Sequence, residues 1–302
     1  MKAKLTIGPV LFHWPAAKWK DFYYRVADEA PVDVVYIGEV ICSKRAPFYE
    51  PLYADVAEYL QKAGKKVIFS TLAEVMIKHD RKMVSAMADL EDFLVEANDS
   101  SALIHFTGRP HTIGPFMNVY NEFTMTFLAL NGAEHVCFPP ELPEQSLAIL
   151  AKRANQLDLS TEVQVYGRIP LALSARCYHA RAHGRVKDNC QFVCEQDPDG
   201  MELKTMQGKP FLAINGIATM SHTCLNLVQE LDDLRGMGIN HFRLSPHSHD
   251  IVEVSRLFRA ALDGNIGTSE IIAGLERERP DIPFSNGFYY KKPGYDWITA
   301  EK

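Results

Sequence analysis

Short apolar runs alternate with amphipathic stretches through the first two thirds of the chain. Leu5–Val10, Val32–Ile37, Lys66–Ser70, Ala102–Phe106, His135–Phe138 and Thr161–Tyr166 are short runs rich in apolar and β-branched residues, the composition of strands. Between them, apolar residues recur at helical spacing. Trp19, Phe22, Tyr23 and Val26 mark a helix over Trp19–Ala30, and Met83, Met87, Leu90 and Leu94 mark a long one over His79–Asn98. Tyr53–Ala63, Asn121–Leu130 and Glu144–Gln156 read as further helices, with Gly64 and Asn131-Gly132 as stops. Strand and helix in strict alternation predict parallel strands joined by helical crossovers. Enough strands precede residue 170 to favour a TIM-barrel-like (β/α) domain over an open sheet.

The rhythm breaks between Pro170 and Gly216, so an irregular insertion is expected over about 170–215. Asp197-Pro198-Asp199-Gly200 and Gln207-Gly208 are turn sequences, and Met201–Met206 can pair with Pro210–Ile214 as a small hairpin. Cys224–Leu234 then reads as a helix, His241–Leu244 as a strand and Ile251–Leu262 as a helix, before a Gly-, Pro- and Tyr-rich tail. Without an internal repeat or low-complexity linker, residues 1–302 are expected to form one domain.

Composition narrows the class. Hydrophobic residues make up 47% and charged residues 23%, ordinary for a globular chain. The net charge is −6 and no dense Lys/Arg block occurs, which argues against a broad nucleic-acid face. Lys2 and Lys4 precede an apolar run, but Gly8 and Pro9 interrupt it and His13-Trp14-Pro15 follows, so a first strand is expected there, not a signal peptide. No run reaches the roughly 18 apolar residues of a membrane helix. A cytoplasmic location is the resulting expectation. In such a chain, six cysteines point to metal binding or catalysis before disulfides.

Cys177, Cys190 and Cys194 follow a C-x12-C-x3-C pattern within a polar, basic segment, whereas a structural cysteine normally sits in an apolar run. Ligation of a metal or cluster explains the three better than packing does. Cys42 lies just past the strand Val32–Ile37 and Cys177 shortly after Thr161–Tyr166, so both would open on the rim where α/β proteins gather functional groups. Cys137 lies inside an apolar strand and is expected in the core, while Cys224 competes with Cys42 as a fourth ligand. Four thiolates suit zinc or iron–sulfur. Lys44, Arg45, Arg176, Arg181, Arg185 and Lys187 would offset the negative charge of a thiolate-ligated cluster, and the spread spacing is unlike paired C-x2-C zinc knuckles. His179 and His183, at i, i+4, have zinc-like spacing, but two exposed loop histidines explain them as well.

Glu39, Ser70, Thr71, Glu141 and Arg168 fall at or past strand ends, where substrate contacts and loop caps both occur. His13 and Trp14 read as a packed pair. His241, His247, His249 and Asp250 look metal-like by composition, yet Ser248 or Asp250 can cap the next helix. Asn118, Tyr120 and Asn121 are polar candidates without an assigned role. No G-x-S-x-G elbow and no H-E-x-x-H motif is present, and a ligating cysteine is unavailable as a nucleophile, so peptidase activity is not expected. No catalytic residue is assigned.

The segment from Tyr166 to Tyr178, YGRIPLALSARCY, resembles the signature of the collagenase-like peptidase family, whose members often carry a cluster-binding cysteine set. Gly8-Pro9-Val10-Leu11 with Trp14-Pro15, the stretch Ile37 to Arg45, Asn118-Val119-Tyr120-Asn121, Asn215-Gly216-Ile217 and Arg243-Leu244-Ser245-Pro246 resemble a narrower branch of that family, active in ubiquinone biosynthesis. The resemblance implies a barrel-like fold and a [4Fe–4S] cluster on Cys42, Cys177, Cys190 and Cys194. It further implies a heterodimer with a homologous subunit carrying its own cluster, a lipid-carrier protein as a second partner, and oxygen-independent hydroxylation of a prenylated aromatic precursor. Some relatives modify RNA, which the acidic balance of this chain disfavours.

Overall fold

A computed structural model describes residues 3–279 and 281–299. Eight parallel strands form its centre: β1 (Lys4–Ile7), β2 (Val34–Ile37), β3 (Lys66–Ser70), β4 (Leu94–Ala97), β5 (His111–Ile113), β6 (Ala133–Phe138), β7 (Ser160–Gly167) and, after an excursion, β13 (His241–Leu244). β13 pairs with both β1 and β7, which closes the sheet into a barrel. Helices Ala16–Glu29, Tyr53–Lys62, Lys78–Ala86, Glu122–Leu130, Glu144–Gln156 and Ile251–Leu262 lie among the crossovers. The expected TIM-barrel-like architecture is therefore present.

Alternation along the strands divides the side chains between two surroundings. Leu5 and Ile7 of β1 and Val35 and Ile37 of β2 belong to the large apolar core, while Val34 and Tyr36 of β2 join Ile68 in a separate small cluster.

The excursion holds a second, antiparallel sheet in the order β8-β11-β10-β9: β8 (Pro170–Leu173), β9 (Met201–Lys204), β10 (Pro210–Asn215) and β11 (Ala218–Ser221). The β9–β10 hairpin matches the expected one, and it gains β11 and β8 as further strands. β12 (Cys224–Asn226) then runs antiparallel to β7, with β14 (Phe284–Ser285) beside it.

Three expectations fail locally. The helix expected over His79–Asn98 ends at Ala86, and Leu94–Ala97 is β4. Met83, Met87, Leu90 and Leu94 do keep a helical period, but pairing of Glu96 with Ser70 and Thr112 in the barrel ladder overrides it. Ala102–Phe106 is helical at Leu103–Phe106, because Asp99 accepts the Ser101 N–H and starts a helical turn, and β5 follows at His111–Ile113. Cys224 starts a strand, with the helix delayed to Leu231–Gly236. The expected tail contains a helix, Thr268–Glu278. Among the described residues no helix is long and apolar enough to cross a membrane.

Candidate metal centre and barrel interior

β2 is followed by Gly38, with φ +138, where an added Cβ would sit 2.4 Å from the Ser70 carbonyl oxygen. Only glycine tolerates this turn. Glu39 follows, buried, and its Oε1 accepts the N–H groups of Ile41 at 2.8 Å and Cys42 at 2.9 Å. Glu39 thus fixes the loop that presents Cys42. Burial raises its pKa, and Arg45 opposes the rise.

The other three cysteines come from the segment between β8 and β9. Cys177 caps the short helix Tyr178–Ala182, and its Sγ accepts the Ala180 N–H at 3.4 Å. Cys190 ends the turn Lys187–Asn189. Cys194 lies in the turn Val193–Gln196, reached through Gln191 and Phe192, both left-handed at φ 49 and 53. Cys42, Cys177, Cys190 and Cys194 all line one small cavity, together with Arg45, His179 and Gly216. The two cysteine-bearing regions are laced together: Lys44 Nζ donates to the carbonyls of Lys187 at 2.8 Å and Asp188 at 2.9 Å.

Arg45 is the electrostatic centre of this group. It is 1% exposed. One Nη donates to the Leu11 carbonyl at 3.0 Å, the other to Asn215 Oδ1 at 2.9 Å, and its Nε has no partner among the described residues. Burial acts to lower its pKa, but Cys194, Glu39 and Cys42 together hold it above the ordinary value. Burial raises the thiols of Cys42 and Cys194, and Arg45 pulls both back down. A buried guanidinium facing thiols is matched by a negatively charged occupant. A [4Fe–4S] cluster on four thiolates is such a group, so the donor set and the cation fit it. Among the described residues, no three His, Cys, Asp or Glu are grouped to hold one metal ion.

Gly216 makes room for this arginine. Its φ is +60, and an added Cβ would lie 2.7 Å from Arg45 Nη2. Gly208 has a similar φ of +78 with nothing within 4 Å. Gly208→Ala should cost the backbone penalty of about 1 kcal/mol, and Gly216→Ala about 1–3 kcal/mol beyond it. Thermal unfolding of both variants reads the difference, and equal melting temperatures would contradict the packing described.

His179 departs from expectation: it is buried, with Nε2 2.8 Å from Asp197 Oδ2, while His183 is exposed and its Nδ1 meets the His179 carbonyl at 3.0 Å. Cys137 lies in β6, fully buried. Cys224 is buried in β12, its thiol on the Leu225 carbonyl, and it does not line the cysteine cavity.

The barrel interior holds a charged network that sequence reasoning missed. Glu162 Oε2 accepts from Arg243 at 2.5 Å and Tyr36 at 3.0 Å and lies 3.1 Å from His135 Nε2, while Thr6 donates to its other oxygen. Arg243 also meets Glu96 at 2.6 Å and stacks over Tyr36 at 4.0 Å. Burial alone would raise the Glu162 pKa, but Arg243 and His135 hold it well below the usual carboxylate range. The available signal was polar residues at alternate positions of otherwise apolar strands, Glu162 and Gln164 in β7 and Arg243 in β13, where a parallel sheet usually carries apolar runs.

This network absorbs several rim candidates. The Ser70 hydroxyl donates to Glu96 at 2.7 Å, and Thr71 Oγ1 accepts the Asn98 N–H at 3.0 Å. Arg168 donates to the carbonyls of Ser221 and His222, both at 2.6 Å, tying β7 to the second sheet. His247 and His249 lie side by side, with ring centroids 5.5 Å apart, but each is held by other groups. His247 lies between the Arg168 N–H and the Ser245 carbonyl, His249 between Tyr166 and Arg279, and Asp250 caps the helix Ile251–Leu262. His241 stands apart, beside His135. His13 is buried with Nδ1 2.7 Å from the Tyr49 hydroxyl, and Trp14 Nε1 donates to the Pro198 carbonyl at 2.7 Å. Asn121 caps the helix Glu122–Leu130. Asn118, Tyr120 and Glu141, by contrast, come together at a pocket past the ends of β5, β6 and β7, with the Tyr120 hydroxyl donating to Glu141.

A closed parallel barrel carrying four thiols, a buried arginine and a polar pocket beyond its strand ends defines an α/β protein of the TIM-barrel type with its candidate chemistry on one rim. The chain belongs to peptidase family U32, whose family model matches residues 18–299. Among solved structures it is similar to a type I 3-dehydroquinate dehydratase from Clostridium difficile, at 12% identity and TM-score 0.37 over 55% of this chain and 76% of that one. It is also similar to a phospho-2-dehydro-3-deoxyheptonate aldolase from Thermotoga maritima, at 9% identity and TM-score 0.42 over 93% and 72% of the respective chains. A class V chitinase from Nicotiana tobaccum matches at 10% identity and TM-score 0.39 over 88% of this chain and 100% of its own.

Proposed function

We propose that this family member is a UbiV-like iron–sulfur subunit. In this reading it holds a [4Fe–4S] cluster on Cys42, Cys177, Cys190 and Cys194 and works in the cytoplasm in oxygen-independent hydroxylation of a prenylated ubiquinone precursor. It acts as a heterodimer with a homologous UbiU-like subunit and receives the precursor from a lipid-carrier protein. The observation that carries the reading is the single cavity shared by four thiols from two distant regions of the chain, with the Arg45 guanidinium buried against them. The sequence resemblance over Ile37 to Arg45, which includes Cys42, supports this branch, and that over Tyr166 to Tyr178, which includes Cys177, supports the wider family.

When bound, a cluster with every iron on a thiolate stores and passes electrons and offers no open coordination site. The protein's own groups do the rest. Arg45 offsets negative charge in a dry setting, Glu39 orients the Cys42 loop, and Lys44 locks that loop onto the segment bearing Cys190. Replacing any one of the four cysteines by alanine is expected to lower iron content and abolish anaerobic ubiquinone production, whereas Cys137→Ala keeps iron. Iron analysis of the purified variants and quinone extraction from complemented cells check both. Full iron in all four variants would remove the reading.

A further inference from the structure

We propose that the pocket at the mouth of the barrel binds a neutral phenolic ring carrying an apolar tail, an assignment that rests on the function proposed above and gives its substrate a place. The pocket has a volume of about 240 Å³ and is built from the loops after β5 and β6 and from β7 and β8. This is near the lower end of small-molecule sites, which run roughly 300–1,000 Å³, and it suits a single ring better than a long chain.

Its walls decide what fits. Phe116, Pro140, Leu171 and Leu173 supply flat apolar surface. The polar groups are Asn118, Tyr120, Glu141 and Gln164, and no Lys, Arg or His is among the lining residues. A carboxylate or phosphate would therefore meet the charge of Glu141 without a cation to offset it. The Gln164 amide nitrogen donates to the carbonyls of Gly167 at 3.4 Å and Arg168 at 3.1 Å, which leaves its carbonyl oxygen as the group able to accept from a ligand. Glu141 receives the Tyr120 hydroxyl and keeps further lone pairs. Two acceptors above an apolar slot select a hydroxyl donor on a ring. Leu171, 42% exposed, forms an apolar lip over which a tail can leave the pocket.

The pocket is also a neighbour of the thiol cavity. Leu173 lines one and Cys177 the other, and the chain between them limits their Cα separation to about 15 Å. The two cavities are thus joined by one short stretch of chain.

Isothermal titration of the anaerobically purified full chain with 2-prenylphenol tests this. 3-Prenyl-4-hydroxybenzoate adds a carboxylate to the ring, and prenylbenzene lacks the hydroxyl. The phenol is expected to bind, with each comparator at least about tenfold weaker, the scale of one unpaired buried polar or charged group. Leu171→Asp and Glu141→Ala should each weaken the phenol about fivefold or more, and Phe211→Ala, at the exposed start of β10, should not. Equal or tighter binding of the benzoate, or full affinity in Leu171→Asp, would overturn the assignment. The comparison among ligands needs only the unaltered protein, so it stands even where a variant fails to fold. A colourless, iron-free protein with this selectivity would support the pocket while removing the iron–sulfur reading. An iron-bearing protein that ignores prenylphenol would overturn the pocket and leave that reading intact.

Discussion

Arg243→Ala is expected to remove about 3–5 kcal/mol of stability, a large share of the roughly 5–15 kcal/mol that holds a typical domain together. The arginine is buried inside the barrel between Glu96 and Glu162, at 2.6 and 2.5 Å. Removing it strands two carboxylates in a dry interior, and the cost lies in those unpaired charges more than in the lost contacts. The pH dependence follows. In the unaltered protein, pairing depresses the Glu162 pKa, so its stabilising contribution is present above the unfolded-state value near about 4.3 and fades as pH falls through the folded value. Without Arg243, burial becomes the dominant influence and pushes the Glu162 pKa above the unfolded value. Stability of the variant should then rise as pH is lowered from 8 towards 5, whereas the parent's Glu162 contribution stays constant over that range and fades only at lower pH. Adding Glu162→Gln to Arg243→Ala should recover part of the loss. Urea unfolding at several pH values measures all three. A variant of parental stability, or one that loses stability on mild acidification, would contradict the network.

Arg45→Met should separate the role of the second buried arginine from mere packing. Methionine keeps much of the stem volume and removes the charge. The Leu11 carbonyl retains a donor, because Asn215 Nδ2 also reaches it at 2.7 Å. The iron-free variant should therefore unfold close to the parent, within about 1–2 kcal/mol, since an underpaired guanidinium is itself costly to bury. Iron retention should fall several-fold, with Arg45→Lys intermediate, because lysine restores charge without the planar fork. Iron per chain after a fixed exposure to chelator, beside urea unfolding of the iron-free forms, reads both halves. Unchanged iron retention would show that Arg45 is structural filler.

The barrel was legible because parallel strands buried on both faces write compact apolar runs, and Gly64 and Asn131-Gly132 punctuate their crossovers. It was misread where local and tertiary signals conflict. Leu94 continues a helical period from Met83 but enters the ladder with Ile68, a pairing no local window contains. Placing both loops past strand ends put Cys42 and Cys177 on one rim but left Cys224 as a competitor, and the family resemblance selected Cys42, which lines one cavity with the other three cysteines. Cys224 looked comparable in sequence and is excluded from the cavity only by pairing of β12 with β7. Among the basic residues near the cysteines, sequence did not single out Arg45. Its burial depends on Gly216 and Asn215 at the far end of the excursion. The Glu96–Arg243–Glu162 network was hidden for the same reason, since its members come from three strands whose partners are fixed only by barrel closure.

The most direct test of the central claim is iron and acid-labile sulfide per chain, with the visible spectrum, for anaerobically purified parent, Cys42→Ala and Cys224→Ala proteins. The account predicts about four irons and four sulfides in the parent with a broad band near roughly 400 nm that bleaches on reduction. It predicts the same in Cys224→Ala and a loss of both in Cys42→Ala. A colourless parent rich in zinc, or iron lost from Cys224→Ala and retained by Cys42→Ala, would contradict it.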